Sequence, residues 1–175
     1  MRKLKVEELN RLSSEDFKSA KKIPLVVVLD NVRSLHNVGA VFRTSDAFLV
    51  EKIHLCGITS TPPNVEMHKT ALGAEFSMEW EYFAETTDAV TKLREEGYTV
   101  FAVEQAEGSI SLPELQITPT RKYAVILGNE VKGVQQSVID LCKACIEIPQ
   151  YGTKHSLNVS VTAGIVIWDF FKQLS

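Results

Sequence analysis

The chain has 175 residues, 45% hydrophobic and 23% charged, the balance of one globular domain with a sizeable core. Its net charge of −3 excludes a protein that grips nucleic acid over its whole surface. The charge is uneven, because residues 1–22 hold seven Lys/Arg and four Asp/Glu, a local +3, which leaves −6 on the rest. Any nucleic-acid contact must therefore be local, with this first segment as one candidate and a solvated amphipathic helix as the plain alternative.

Taken in chain order, "MRKLKVEELNRLSSEDFKSAKK" lacks the apolar stretch of a signal peptide. Within it, "VEELNRLSSEDFKSA" reads as a helix with Val6, Leu9, Leu12 and Phe17 loosely on one face, a helical extension over residues 1–22. "PLVVVLD" is an apolar strand, "NVGAVFRTSDAF" a helix, "KIHLCG" a strand and "GITSTPPN" a loop broken by prolines. "EMHKTALGAEF" is a short helix or turn, and "MEWEYF" alternates as a strand. "TTDAVTKLREEG" is a helix with Thr86 or Thr87 as cap and Gly97 as stop. "YTVFAVE" and "RKYAVILG" are strands, "VQQSVIDLC" a helix and "CIEIP" a strand. The last stretch, "SLNVSVTAGIVIWDFFKQL", is a helix with Ser156 as its N-cap. It carries Asn158, Ser160 and Asp169 and is too short and polar for a membrane span, so a cytoplasmic protein with no membrane partner is expected.

Three cysteines, Cys56, Cys142 and Cys145, form no disulfide pattern. The C-x-x-C of "LCKAC" could be half of a zinc or redox site, but no second ligand pair stands at useful spacing. Two small buried residues between helix and strand are the expectation, as is no metal.

Nearly all-apolar strands alternating with helices give an α/β fold, a parallel sheet with helices on both faces. Such sheets bind ligands beyond the carboxyl ends of their strands. Three strand ends are heavily loaded. The first is followed by "DNVRSLHNVGAVFRTSDAF", far richer in Asn, Arg and His than a connector needs. "YAVIL" is followed by "GNEVKGV", and "CIEI" by "PQYGTKHSLN". "KIHLC" has only Gly, Thr, Ser and Pro after it, and "YTVFAV" only "EQAEGS". The glycine segment is neither G-x-G-x-x-G nor a P-loop.

Together, N-V-G-A-x-x-R-T, G-N-E-x-x-G and S-L-N-V-S-V, in that order, resemble the three signature motifs of the SpoU (TrmH-like) branch of the SPOUT RNA methyltransferases, over about residues 25–172. The resemblance implies a SPOUT catalytic domain over residues 23–175 with a C-terminal deep trefoil knot, S-adenosylmethionine as cofactor and a homodimer with active sites at its interface. It also implies methyl transfer to a ribose 2′-oxygen of tRNA or rRNA. By position, Asn37, Arg43, Glu130, Ser156 and Asn158 match the catalytic motif residues. Leu127, Gly128, Ile148, Gln150, Ser156 and Leu157 match the cofactor-binding positions. Asn31, Arg33 and Arg43 are the RNA-binding candidates. The chain departs from the family at Gln150, where Met is common, at Lys154-His155 and at Thr162, which leaves cofactor-pocket detail and substrate choice open.

A ribose hydroxyl is a poor nucleophile, so catalysis needs positioning and proton removal. Arg43 is almost never neutral. It is expected to hold the phosphate beside the target ribose, with phosphate or Arg43 taking the proton late. Glu130 is expected to hydrogen-bond Arg43, Asn37 or RNA. Each residue has a plainer reading. Asn37 and Ser156 could be helix caps, Glu130 a carboxylate at the start of "VQQSVIDLC", Arg33 a surface charge, and Phe42, Phe48 and Trp168 core. The alternatives in function are a knotted enzyme that methylates a base and a catalytically silent RNA- or cofactor-binding module.

Overall fold

The computed structural model describes residues 1–175. Seven strands form one sheet in which every paired neighbour is parallel: β1 (Ile23–Asp30), β2 (Val50–Cys56), β3 (Trp80–Phe83), β4 (Tyr98–Val103), β5 (Ile110–Ser111), β6 (Lys122–Leu127) and β7 (Ala144–Glu147). The spatial order is β3-β2-β1-β6-β4-β7-β5. The expected parallel α/β sheet is present.

The central strands serve two cores, which is why they read as continuous apolar runs. In β1, Leu25, Val27 and Leu29 enter the larger core, under helices α2 (Leu35–Ala47), α3 (Val65–Ala71) and α7 (Val159–Leu174). Val26 and Val28 enter the smaller one, with Ala89, Val90 and Leu93 of α5 (Thr86–Glu95). Between α3 and β3 lies the single turn α4 (Ala74–Ser77), and between β6 and β7 the single turn α6 (Gln136–Ile139).

Several local expectations change. The first segment is not one helix. It folds as a 3-10 turn (Val6–Leu9) and a separate α1 (Ser14–Ser19), parted by Asn10 at φ 49° and by Ser13, whose hydroxyl caps α1. Only Phe17 of the four predicted apolar positions is buried. "VQQSVIDLC" forms just the α6 turn, too short to compete with its flanking strands. Thr86 does not cap α5, because its hydroxyl donates to Asp30 at 2.6 Å. The cap of α7 is Asn158, whose side chain accepts from the Ser160 and Val161 amides, and Ser156 lies outside the helix. Trp168 is 48% exposed, stacks on Phe171 and meets Phe48 at a tilt rather than entering the core. β5 is two residues long and has no period to reveal it in the sequence.

Registers align the carboxyl ends. Leu29 of β1 and Val103 of β4 both pair with Leu127 of β6, and Val103 pairs with Ile146 of β7. Four connections therefore leave the sheet at one edge: residues 31–34, 104–109, 128–135 and 148–158.

Candidate active site

The loop after β6 closes on itself. The Asn129 amide donates to the Gly133 carbonyl at 3.1 Å and the Gly133 amide returns to Asn129 at 2.9 Å. Gly133 has φ +67°, and a Cβ on Gly128 would stand 2.2 Å from the Gly133–Val134 peptide. Both positions therefore require glycine, and the loop's tip is held firmly. The Asn129 side chain donates to the Asn31 carbonyl at 2.8 Å, fastening this loop to the one after β1.

Glu130 stands at that tip. Its carboxylate accepts from the backbone amides of Arg33 and Ser34, each at 3.0 Å, and from the Asn37 side-chain amide at 3.0 Å. It thus serves the N-terminus of α2, not of α6, where free N–H groups and the helix dipole favour negative charge. Partial burial pushes its pKa up, but the bonds from Arg33, Ser34 and Asn37 outweigh this and hold the carboxyl below its usual range.

Asn37 is not the α2 cap. Ser34 is, accepting from the Asn37 amide. This frees the Asn37 side chain to link three motifs. Its Nδ2 donates to Glu130, and its Oδ1 accepts from Asn158 Nδ2 at 3.2 Å. Asn158 in turn accepts from the first amides of α7. Each amide orientation is fixed by the partner on its other side.

Beside this relay opens a cleft of about 780 Å³. Leu127, Gly128, Ile148, Gln150, Ser156 and Leu157 all line it, as do Glu130 and Asn158. Asn31, Arg33, Asn37 and Arg43 do not. Asn31 instead uses its side chain inside the fold, donating to Asp30 and accepting from the Ile58 amide. Arg43 lies on the exposed side of α2 and makes no hydrogen bond or ion pair within the chain, so the expected contact with Glu130 is absent.

Sequence reasoning passed over two strand ends. Glu104, Gln105 and Glu107 after β4 line the cleft. Thr59 after β2 bridges two backbone groups, donating to Leu29 and accepting from Val32. It also missed Asp30, fully buried at the end of β1. Asp30 accepts from Thr86, Asn31 and both the amide and side chain of Gln135. A lone aspartate closing an apolar strand was the signal for it. Of the C-x-x-C pair, Cys145 is buried and Cys142 half-buried, and burial pushes the Cys142 thiol up to about 12, so it stays protonated.

The size of the cleft suits a nucleoside-containing cofactor. Leu127, Ile146, Ile148 and Leu157 offer apolar wall, while Glu104, Glu107, Glu130 and Glu147 outnumber Lys132 around it. That field favours a positively charged ligand.

The profile of the SpoU rRNA Methylase family matches residues 24–168. A tRNA (guanosine(18)-2′-O)-methyltransferase of Thermus thermophilus is 33% identical over 169 residues, 95% of this chain and 84% of that protein. A 23S rRNA (guanosine-2′-O-)-methyltransferase RlmB of Nitrosomonas europaea is 35% identical over 86% of this chain and 57% of its own length. Among solved structures, the AdoMet-bound rRNA methyltransferase of Sinorhizobium meliloti superposes with a TM-score of 0.80 at 28% identity, over 91% of this chain and 60% of that one. The A. aeolicus TrmH/SpoU tRNA modifying enzyme shares the fold with a TM-score of 0.80 at 24% identity, over 91% and 81%.

Proposed function

Because the chain belongs to the SpoU rRNA Methylase family, we propose that it moves a methyl group from S-adenosylmethionine to a ribose 2′-oxygen of tRNA or rRNA. The observation that carries this reading is the meeting of Asn37, Glu130 and Asn158, from three distant motifs, at the rim of an acid-lined cleft.

S-adenosylmethionine supplies an electrophilic methyl on a sulfonium, whose carbon–sulfur bond breaks as the ribose oxygen attacks. The cleft fits it: apolar walls for the adenine and carboxylates for the cationic sulfonium and amino groups. Leu127, Gly128, Ile148, Gln150, Ser156 and Leu157 are the residues that would hold it.

The chain's task is then to place the 2′-oxygen and remove its proton. Arg43 binds the phosphate next to the target ribose. Its guanidinium has no partner within the chain, so it is free to form a bidentate pair with phosphate. The proton passes to that phosphate, whose oxygens can accept it, as the 2′-oxygen attacks. Asn37, held between Glu130 and Asn158, orients the ribose. Ser156 and Asn158 shape the cofactor side of the site. Arg33 and Asn31 border the RNA path, and the local +3 of residues 1–22, an extension to the catalytic domain at 23–175, adds phosphate attraction.

The working form is a homodimer with a knotted chain. Val161, Ile165 and Trp168 of α7 are 50%, 38% and 48% exposed along one helical face, continued by Leu157, and a second copy would cover them. Supporting the knot, β7 lies between β4 and β5, which are consecutive in the chain. Beyond β7, Gln173 of α7 bonds the backbone of Leu115 and Ile117 in the β5–β6 connection. A tRNA or rRNA substrate, with no helix long and apolar enough to cross a membrane, supports a cytoplasmic location.

The test is transfer of labelled methyl from S-adenosylmethionine to unmodified tRNA and, separately, to rRNA. Label in either pool names the RNA class; no label in either, with cofactor bound, contradicts the reading.

A further inference from the structure

Adjacent side chains at the end of β4 reach the two loops that form opposite walls of the cleft. Glu104 Oε2 accepts from the Val134 amide at 3.0 Å, and its Oε1 accepts from the Gln105 amide at 2.9 Å. A Cβ on Gly133 would come within 2.1 Å of Glu104 Oε2, so the carboxylate fills the space that the glycine leaves. Glu104 thus grips the base of the loop that presents Glu130. Next to it, Gln105 Nε2 donates at 2.7 Å to the carbonyl of His155, the residue before Ser156. Residues 151–158 are otherwise exposed throughout, and the other side chain that donates to this loop's backbone is Thr162 of α7, to the Asn158 carbonyl at the loop's end. Between its ends, one running out of β7 and the other held at Asn158 by the relay through Asn37 to Glu130, the Gln105 bond is the loop's side-chain link to the sheet.

We propose that Glu104 and Gln105 are positioning residues that set the width of the cofactor cleft, Glu104 by holding the 128–134 loop and Gln105 by tethering the 149–158 loop. The proposal rests on the reading of this cleft as the S-adenosylmethionine site. Its logic is preorganisation: a loop already held in its binding position loses less freedom when the ligand arrives. Gln105 is exposed, so its bond contributes to loop placement and little to global stability. It also sits next to the Lys154-His155 departure from the family pattern, so the tether grips the part of the loop where this chain differs.

Gln105→Met tests it. The substitution keeps the length and the neutral charge and removes the donor, leaving a thioether facing a carbonyl. S-adenosylmethionine affinity is measured by calorimetry, trypsin cleavage after Lys154 by mass spectrometry, and unfolding by calorimetric scan. The expected result is an affinity about fivefold weaker, faster cleavage after Lys154 and an unfolding midpoint within about 2 °C of the unsubstituted protein. Unchanged affinity in Gln105→Met overturns the tether, whatever the cleavage rate. If the unsubstituted chain itself takes up no S-adenosylmethionine, the cofactor reading fails and the proposal falls with it. Binding by the unsubstituted chain with an indifferent variant removes the tether alone.

Discussion

Asn158 donates its side-chain amide to the side-chain oxygen of Asn37 at 3.2 Å, across 121 positions of sequence. The bond joins the first turn of α7 to the first turn of α2, and Glu130 closes the set from the other side of Asn37. Two helix N-termini thus share one polar relay. Each member has a structural duty, and under the proposed function that duty also fixes its geometry for substrate.

Asn37→Asp replaces the donor to Glu130 with a second carboxylate. Like charges at hydrogen-bond distance repel, and the relay loses its direction. Turnover should fall about 100-fold, the scale of a 1 Å misplacement. Stability should fall by about 1 kcal/mol. Steady-state kinetics and urea unfolding measure the two. Near-normal turnover would reduce Asn37 to a helix residue.

Glu130 gives a pH signature. Its pKa is lower in the folded chain than in the unfolded one, so its stabilisation is present above the unfolded carboxylate value, about 4.3. It is lost as pH falls through the lower folded value. Glu130→Gln removes that share of the acid limb, so its stability should vary less than the unsubstituted protein's below about pH 4.3. Chemical unfolding across pH 3–6 reads the difference.

His54 acts in the same direction, over a higher pH window. It is buried in β2, its Nδ1 has no partner, and burial pulls its pKa from 6.5 down to about 4, partly countered by Glu81. The unfolded chain therefore binds this proton first as pH drops from about 6.5 to about 4, and stability is lost over that window. The loss is on the order of 3 kcal/mol at most. His54→Phe should flatten stability over the window, as measured by thermal unfolding between pH 4 and 7.

Val161→Asp and Ile165→Asp place charge on the apolar face of α7. Both positions are exposed in the single chain, so the fold should survive, with unfolding within about 1 kcal/mol of the unsubstituted protein. The variants should sediment as monomers and lose methyl transfer together. A variant still sedimenting as a dimer would move the interface elsewhere.

The sheet and its helices were legible because strands such as "PLVVVL" and helices such as "NVGAVFRTSDAF" carry strong periods. The loops after β6 and β7 were marked by glycine and polar residues clustered after strands, and the six positions that the family resemblance assigns to the cofactor all line the cleft. What the sequence hid was pairing across distance. Nothing local says that Glu130 serves α2 instead of the adjacent α6, or that Thr86 turns from capping to Asp30. "EQAEGS" read as an ordinary loop because Glu104 and Gln105 gain meaning only from partners 30 and 50 positions away. Arg43 is the reverse case. Its motif marks it, while within the chain it makes no hydrogen bond or ion pair, and spacing alone did not reveal that the expected contact with Glu130 is absent.

The central claim is ribose 2′-oxygen transfer driven by Arg43. The most direct measurement digests RNA methylated by the protein to nucleosides and identifies the labelled species by mass spectrometry, with Arg43→Ala alongside. The account predicts label only in a 2′-O-methylnucleoside and its loss in the variant. Label on a base, or a 2′-O-methyl product undiminished in Arg43→Ala, would contradict it.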